Sequence, residues 1–223
     1  MRAYYVNAAF QPQFELDDAM RLAKQLNADM KVLTADVLSN ETVVKNPSDR
    51  CYHCKKALFT GMAALAEAEG FPTLAEGSNA DDTGDYRPGM AAVRELGAVS
   101  PLLEARLTKA DIRTLSRRLG LSTWNRPSAA CLASRICYGE PITREKLSLV
   151  EQAEAFLTGL GLGQLRVRLH GALARIEVLP DQFSTVLAHR DAIVQTFLAL
   201  GCSYVTLDLT GYQTGSLNRL LPK

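Results

Sequence analysis

Ala3-Tyr4-Tyr5-Val6-Asn7-Ala8-Ala9 is an apolar, aromatic run, and after it Glu15 to Asn27 carries Leu16, Ala19, Met20, Ala23 and Leu26 at helical spacing. A buried strand leading into an amphipathic helix is the structure this pattern predicts. Met30 to Val37 is a second strand-like run, and Tyr52 to Glu69 a helix rich in Ala, Leu and Lys. Thr73 to Ala75 reads as a short strand closely followed by Gly77. Thr108, with Asp111 three residues on, caps a helix through Ile112, Leu115 and Leu119 that stops at Gly120. Strands alternating with helices predict an α/β fold, a mostly parallel sheet covered by helices. Beyond Leu121 the alternation breaks. Ser122 to Thr143 is a long polar stretch with Pro127, Pro141, Gly139 and two cysteines, and loops of that length are usually functional or linkers. A helix (Leu147, Val150, Ala153, Phe156, Leu157), strands Leu165 to Leu169 and Ala172 to Leu179, a helix Phe183 to Leu200 and a strand Tyr204 to Leu209 follow. The expected boundary lies near residue 140, with an α/β domain over 1–140 and a small α+β domain over 141–223.

The chain has 223 residues, 47% hydrophobic and 22% charged, which excludes disordered, collagen-like and coiled-coil classes. Its 25 Lys and Arg against 24 Asp and Glu leave a net charge of +1, so no overall field draws it to nucleic acid. Apolar runs such as Met62 to Ala66 and Phe197 to Gly201 fall far short of the roughly 20 residues that span a bilayer. Met1 to Asn7 lacks the pattern of a secretory signal, and a cytoplasmic protein is expected. Five cysteines, Cys51, Cys54, Cys131, Cys137 and Cys202, argue against a disulfide framework and toward thiol or metal chemistry.

Arg50-Cys51-Tyr52-His53-Cys54-Lys55 is the strongest local signal, because two thiolates at a helix start reach one metal and the helix N-terminus favours the thiolate. Cys131 supplies a third ligand and leaves one coordination position open, a set suited to an iron-sulfur cluster or zinc. The plainer reading is a redox dithiol, or two incidental cysteines and a buried Cys131. Glu76-Gly77-Ser78-Asn79-Ala80-Asp81-Asp82 follows a strand, where open α/β sheets bind ligands; its carboxylates suit Mg2+ or a nucleotide, but the same residues also make ordinary turns. Asp85-Tyr86-Arg87-Pro88-Gly89 is equally ambiguous. Arg166 and Arg168 alternate on a strand, so both guanidinium groups share a face suited to phosphate or carboxylate, as do Arg175 and Glu177 on the next. A solvated face of cross-strand Arg/Glu pairs is the alternative. Glu154 alone is only a surface acid.

Together these segments resemble the LarE family of ATP-dependent sulfur transferases, within the PP-loop ATP pyrophosphatase superfamily. The resemblance is carried by Asn46-Pro47-Ser48-Asp49-Arg50-Cys51-Tyr52-His53-Cys54-Lys55, the Glu76 to Asp82 and Asp85 to Gly89 segments, Leu107-Thr108-Lys109, Trp124-Asn125-Arg126-Pro127-Ser128, Cys131 with Ser134-Arg135, and Tyr138-Gly139. Arg166-Val167-Arg168-Leu169-His170, Ala174-Arg175-Ile176-Glu177, Tyr204 to Leu209 and Gly211-Tyr212 extend it. The resemblance implies an adenine nucleotide alpha hydrolase-like, Rossmann-like domain and sulfur insertion into pyridinium-3,5-dicarboxylic acid mononucleotide, a step toward a nickel-pincer nucleotide cofactor. ATP with Mg2+ adenylates a carboxylate, and a sulfur nucleophile displaces AMP. It implies that Cys51, Cys54 and Cys131 hold a 4Fe-4S cluster bearing the transferable sulfide. Arg166, Arg168, Glu154 and Glu177 would line the substrate pocket, with Asn79 and Asp82 by the nucleotide and Lys109 near its phosphates. A homo-oligomer and a sulfur-donor protein are also implied. The superfamily's Ser-Gly-Gly-x-Asp-Ser loop is expected before residue 1, so an N-terminally incomplete, split or degenerate chain is anticipated. Thiolation of tRNA or another small molecule, and a non-catalytic metal-binding remnant without ATP activity, are the competing functions.

Overall fold

A computed structural model describes residues 1–84, 87–126 and 130–220, which leaves Asp85-Tyr86 and Pro127-Ser128 of the quoted motifs outside the described residues. The chain forms two compact units, one of Met1–Ala8, Gln13–Val37 and Asp49–Arg126, the other of Ala9–Pro12, Leu38–Ser48 and Pro127–Lys223.

In the first unit β1 (Ala3–Ala8) pairs in parallel with β2 (Met30–Ala35), Ala3 opposite Met30 and Ala8 opposite Ala35. Helix α1 (Gln13–Gln25) makes the crossover that a parallel pair requires. Its periodicity is as expected, yet no α1 side chain is fully buried. A sheet two strands wide offers too little surface to cover an apolar stripe. The short α2 (Glu41–Val44), capped by Asn40, belongs to the second unit. Helix α3 (Arg50–Ala68) is followed by α4 (Pro88–Glu95) and α5 (Pro101–Glu104), both with proline in the first turn, where the missing N–H costs nothing. Helix α6 (Lys109–Arg118) opens on a full capping box between Thr108 and Asp111. The expected strand at Thr73 to Ala75 contracts to one parallel bridge, Ala75 to Val99, with hydrogen bonds from Val99 N to Leu74 O and from Glu76 N to Val99 O.

The second unit contains α7 (Arg144–Gly159), β3 (Leu165–His170), β4 (Leu173–Val178), α8 (Phe183–Ala188), α9 (Arg190–Ala199) and β5 (Tyr204–Leu207). The sheet order is β3-β4-β5, antiparallel and then parallel. A single helix over Phe183 to Leu200 is not formed. At His189 the backbone turns to φ −104 and ψ 15, and its ring Nδ1 donates to Thr185 O at 2.9 Å, sharing that carbonyl with the His189 backbone N–H at 3.2 Å. The alternation of β3 and β4 sorts two faces. Leu165, Val167 and Leu169 lie opposite Val178, Ile176 and Ala174, all buried, and α7 and α9 add Val150, Ala153, Leu157, Ile193 and Phe197 to this core. Each such large side chain contributes about 1.5–3 kcal/mol on burial. The opposite face carries Arg166 across from Glu177 and Arg168 across from Arg175.

Candidate active site

In the first unit α3 begins at Arg50, two residues before the expected Tyr52, so both cysteines of the Cys-x-x-Cys motif lie within it. Cys51 and Cys54 stand three residues apart in its opening turns, both half-buried. This spacing brings them to one face of the helix. His53 turns to Asp49, Nε2 to Oδ2 at 3.2 Å. Arg50 is buried and its Nη2 donates to Cys51 Sγ at 3.5 Å. A Cβ at Gly89 would lie 2.9 Å from Lys55 Cδ and 3.3 Å from the Cys51 carbonyl, so glycine there lets α4 approach the thiol-bearing turn.

The Glu76 to Asp82 segment is more than a solvent turn. Burial opposes ionisation of Glu76, but hydrogen bonds from Ser100 and Ser78 outweigh it and hold the carboxyl below its usual range. Asn79 donates from Nδ2 to Asp82 Oδ2 at 2.9 Å, and Asp82 Oδ1 pairs with Lys109 Nζ at 3.3 Å and Arg87 Nη1 at 2.9 Å. The Lys109 amide donates to Asp81 at 2.8 Å, and Ala80 N to Leu107 O at 2.9 Å. Asn79 and Asp82 thus form one polar cluster with Lys109, which is distant from them in sequence, at the α6 N-terminus.

In the second unit the arginine-bearing face is buried rather than solvated. Arg166, Arg168 and Glu177 are all buried, Glu177 with no exposed surface. A buried carboxylate must be paired, and Glu177 accepts from Arg168 Nε at 3.3 Å, Arg175 Nη2 at 2.9 Å and Ser216 Oγ at 3.1 Å. Arg168 Nη1 also donates to Ser134 O at 2.7 Å. Arg166 lies over the Tyr212 ring, 5.3 Å from its centroid, and donates to Leu165 O at 2.6 Å. Burial, and then the positive charge of Arg135, pushes the Arg166 guanidinium below its ordinary value. Such a site favours an anionic ligand.

Cys131, half-buried, caps a short 3-10 turn, Leu132–Arg135. That turn reaches the free edge of β3, where Ile136 bridges Leu169. Glu154, read from the sequence as a surface acid or, by resemblance, a pocket residue, gives its carboxylate to Arg135 and to the Val167 N–H. Arg135 itself was only part of a quoted motif; no periodicity marks it. Asn46 also escaped the residue-by-residue reading. It is fully buried at φ 55, a left-handed conformation that Asn tolerates, and its Nδ2 donates to Ile136 O at 3.2 Å and Cys137 O at 2.7 Å. Its own carbonyl accepts from Gly139 N at 2.9 Å, so two separate motif segments are hydrogen-bonded together. Cys137 Sγ lies 3.2 Å from His170 Nδ1. Burial pushes the thiol up and the imidazole down, which favours a neutral thiol–imidazole pair. Cys202 is buried as well.

Among the described residues no three His, Cys, Asp or Glu side chains are gathered as a metal cage; Cys51 and Cys54 belong to the first unit and Cys131 to the second. No helix among the described residues is long and apolar enough to cross a membrane.

The parallel pairings, the crossover helix and the polar cluster after Ala75 fit an α/β protein of the nucleotide-binding class. No family model matches the chain. An uncharacterized protein of Synechocystis is 43% identical over 211 residues, covering 94% of this chain and 79% of its own length. The pyridinium-3,5-bisthiocarboxylic acid mononucleotide synthase of Lactiplantibacillus plantarum is 37% identical over 209 residues, 94% of this chain and 76% of the synthase. An uncharacterized protein of Methanocaldococcus jannaschii is 29% identical over 210 residues, 94% and 80% of the two chains. At this identity and coverage the chain belongs to the LarE family, that of the Lactiplantibacillus synthase.

Proposed function

We propose that the protein is a sulfurtransferase that thiolates a pyridinium dicarboxylate mononucleotide at the expense of ATP. The carrying observation is the buried face of β3, where Arg166 and Arg168 stand with Glu177 and Tyr212 in a family whose named relative makes a pyridinium bisthiocarboxylic acid mononucleotide. Guanidinium forks suit the substrate's phosphate, and a tyrosine ring suits the flat cationic ring. Glu177, held by two arginines and Ser216, orients the Arg168 fork. Glu154 acts on the same face through its grip on β3.

A carboxylate is a poor electrophile because oxide is a poor leaving group. Attack of the substrate carboxylate oxygen on the α-phosphorus of ATP releases pyrophosphate and leaves an acyl adenylate. A sulfur nucleophile then forms the carbon–sulfur bond as the carbon–oxygen bond to AMP breaks. Asn79, Asp82 and Lys109 are the nucleotide-binding group in this reading, with the lysine on the phosphates and Asp82 fixing its position, or holding Mg2+.

The donor set fits an iron-sulfur centre in chemistry: thiols are the ligands such centres take, and Cys51 and Cys54 share one helical face. Cys51, Cys54 and Cys131 would hold a 4Fe-4S cluster, which supplies a sulfide nucleophile. Arg50, donating to Cys51 Sγ, offsets the negative charge of such a centre. A homo-oligomer and a sulfur-donor protein go with this activity.

The test is direct. The chain is purified without oxygen, reconstituted with iron and sulfide, and given ATP and the pyridinium mononucleotide. A product heavier by the exchange of oxygen for sulfur, with one AMP and one pyrophosphate for each sulfur, supports the proposal. Binding of iron with no ATP-dependent AMP release under any substrate overturns it in favour of a non-catalytic metal protein.

A further inference from the structure

We propose that Arg135 is a positioning residue that fixes the Cys131 turn against the strand carrying Arg166 and Arg168; this rests on the reading of Cys131 as a sulfur-chemistry residue. Arg135 is buried to 2% exposure, and its donors divide between two sides. From Nη1 it donates to the carbonyl oxygens of Ala130 at 2.5 Å and Cys131 at 3.2 Å, and to Ser134 Oγ at 3.1 Å. From Nε and Nη2 it donates to both Glu154 oxygens, at 2.9 and 2.8 Å. Glu154 Oε1 also accepts the N–H of Val167 at 2.9 Å, the residue between the two arginines. Arg168 makes a second tether, from Nη1 to Ser134 O at 2.7 Å. The turn is therefore fastened to β3 by two routes that end within one residue of Val167.

The arrangement has a consequence for reactivity. Leu132, Ala133 and Arg135 are buried while Cys131 and Ser134 are half-buried, so the tethers hold the backbone of a turn whose cysteine is not shut into the core. Only a planar fork serves both sides at once. A lysine is a single point charge and satisfies one side or the other.

The test uses the full chain, reduced and metal-free, as wild type, Arg135→Gln, Arg135→Lys and the double variant Arg135→Met/Glu154→Leu. The double variant removes both charges together and so avoids a buried unpaired ion if the single variant does not fold. Deuterium exchange is followed at the Ser134 and Ile136 amides, which donate to Cys131 O and Ala133 O, and alkylation of Cys131 by iodoacetamide is followed by peptide mass. In Arg135→Gln and in the double variant, exchange at these amides is expected to rise about tenfold or more and Cys131 alkylation to accelerate, while β4 and β5 keep their protection. Arg135→Lys is expected to fall between. In the thiolation assay Arg135→Gln is expected to lose about tenfold or more in turnover, with substrate affinity changed less than about threefold. A folded Arg135→Gln or double variant with wild-type exchange and alkylation overturns the proposal. If wild type makes no thiolated product while exchange and alkylation respond, the positioning role stands and the sulfur-transfer reading falls alone.

Discussion

Arg135 and Glu154 form a two-pronged ion pair, Nε to Oε1 at 2.9 Å and Nη2 to Oε2 at 2.8 Å, with side chains only 3% and 15% exposed. Removing one partner of such a pair strands a buried charge, which typically costs about 3–5 kcal/mol, whereas removing both is often close to neutral. Glu154→Leu is accordingly expected to lower the unfolding free energy by about 3 kcal/mol or more in urea titrations, and Arg135→Met/Glu154→Leu by clearly less. Additive losses in the double variant would show that the two side chains do not act as a unit.

The cysteines divide by chemistry. After reconstitution with iron and sulfide, Cys51→Ser, Cys54→Ser and Cys131→Ser are each expected to lose the absorption and EPR signals of a 4Fe-4S cluster. Cys137→Ser and Cys202→Ser, at buried positions, are expected to keep them. A Cys131→Ser chain with full iron and sulfide content would remove that residue from the ligand set.

Lys109 supplies a test of the proposed nucleotide-binding role of its cluster. Its side chain is 44% exposed and its ammonium pairs with Asp82 at 3.3 Å, so truncation is tolerable to the fold. A lost charged contact is worth about 1.5–3 kcal/mol, so Lys109→Ala is expected to weaken ATP binding by about 10- to 100-fold in calorimetric titrations. Unchanged affinity would place the phosphates elsewhere.

Acid should unpick the first unit in a defined window. Hydrogen bonds to Glu69 from Lys31, Tyr4 and Arg2 lower its carboxyl from 4.5 to about 2. A carboxyl lowered in the folded state binds fewer protons there than when unfolded, so its contribution is complete above pH 4.5 and disappears as pH falls toward about 2. Glu69→Gln should flatten the thermal stability of the chain across that interval. An equal acid slope in wild type and variant would locate the sensitivity at other carboxyls.

Gly211 stands at φ 70, and a Cβ there would lie 2.9 Å from the Val178 carbonyl and 3.2 Å from Pro180. The adjacent Tyr212 N donates to Val178 O at 2.8 Å, which seats the Tyr212 ring beneath Arg166. Gly211→Ala is expected to cost about 2 kcal/mol or more, from the left-handed backbone and the backbone clash together, read as a fall in the melting temperature. A neutral substitution would mean that the turn relaxes freely.

Local pattern was enough for much of this protein. The 3.6-residue periods of α1, α6 and α7, the Thr108 and Asp111 cap, the alternation on β3 and β4 and the start of α3 at the Cys-x-x-Cys motif all depend on neighbours within a few residues, and the sequence displays them directly. Short-range order is less informative where a carbonyl has two suitors, as at His189, or where one strand finds a single partner residue, as at Ala75. The chemistry of the arginine face was likewise legible as residue types but not as an environment. Period two puts Arg166 and Arg168 on one face whether that face is wet or dry; only the packed structure buries it, seats Glu177 among Arg168, Arg175 and Ser216, and assigns Glu154 to Arg135. Arg175 is two residues from Glu177 on one strand, but the other partnerships, Arg168 and Ser216 with Glu177 and Arg135 with Glu154, span 9 to 39 residues, where strands meet side by side or a distant turn folds back, and no local period records them.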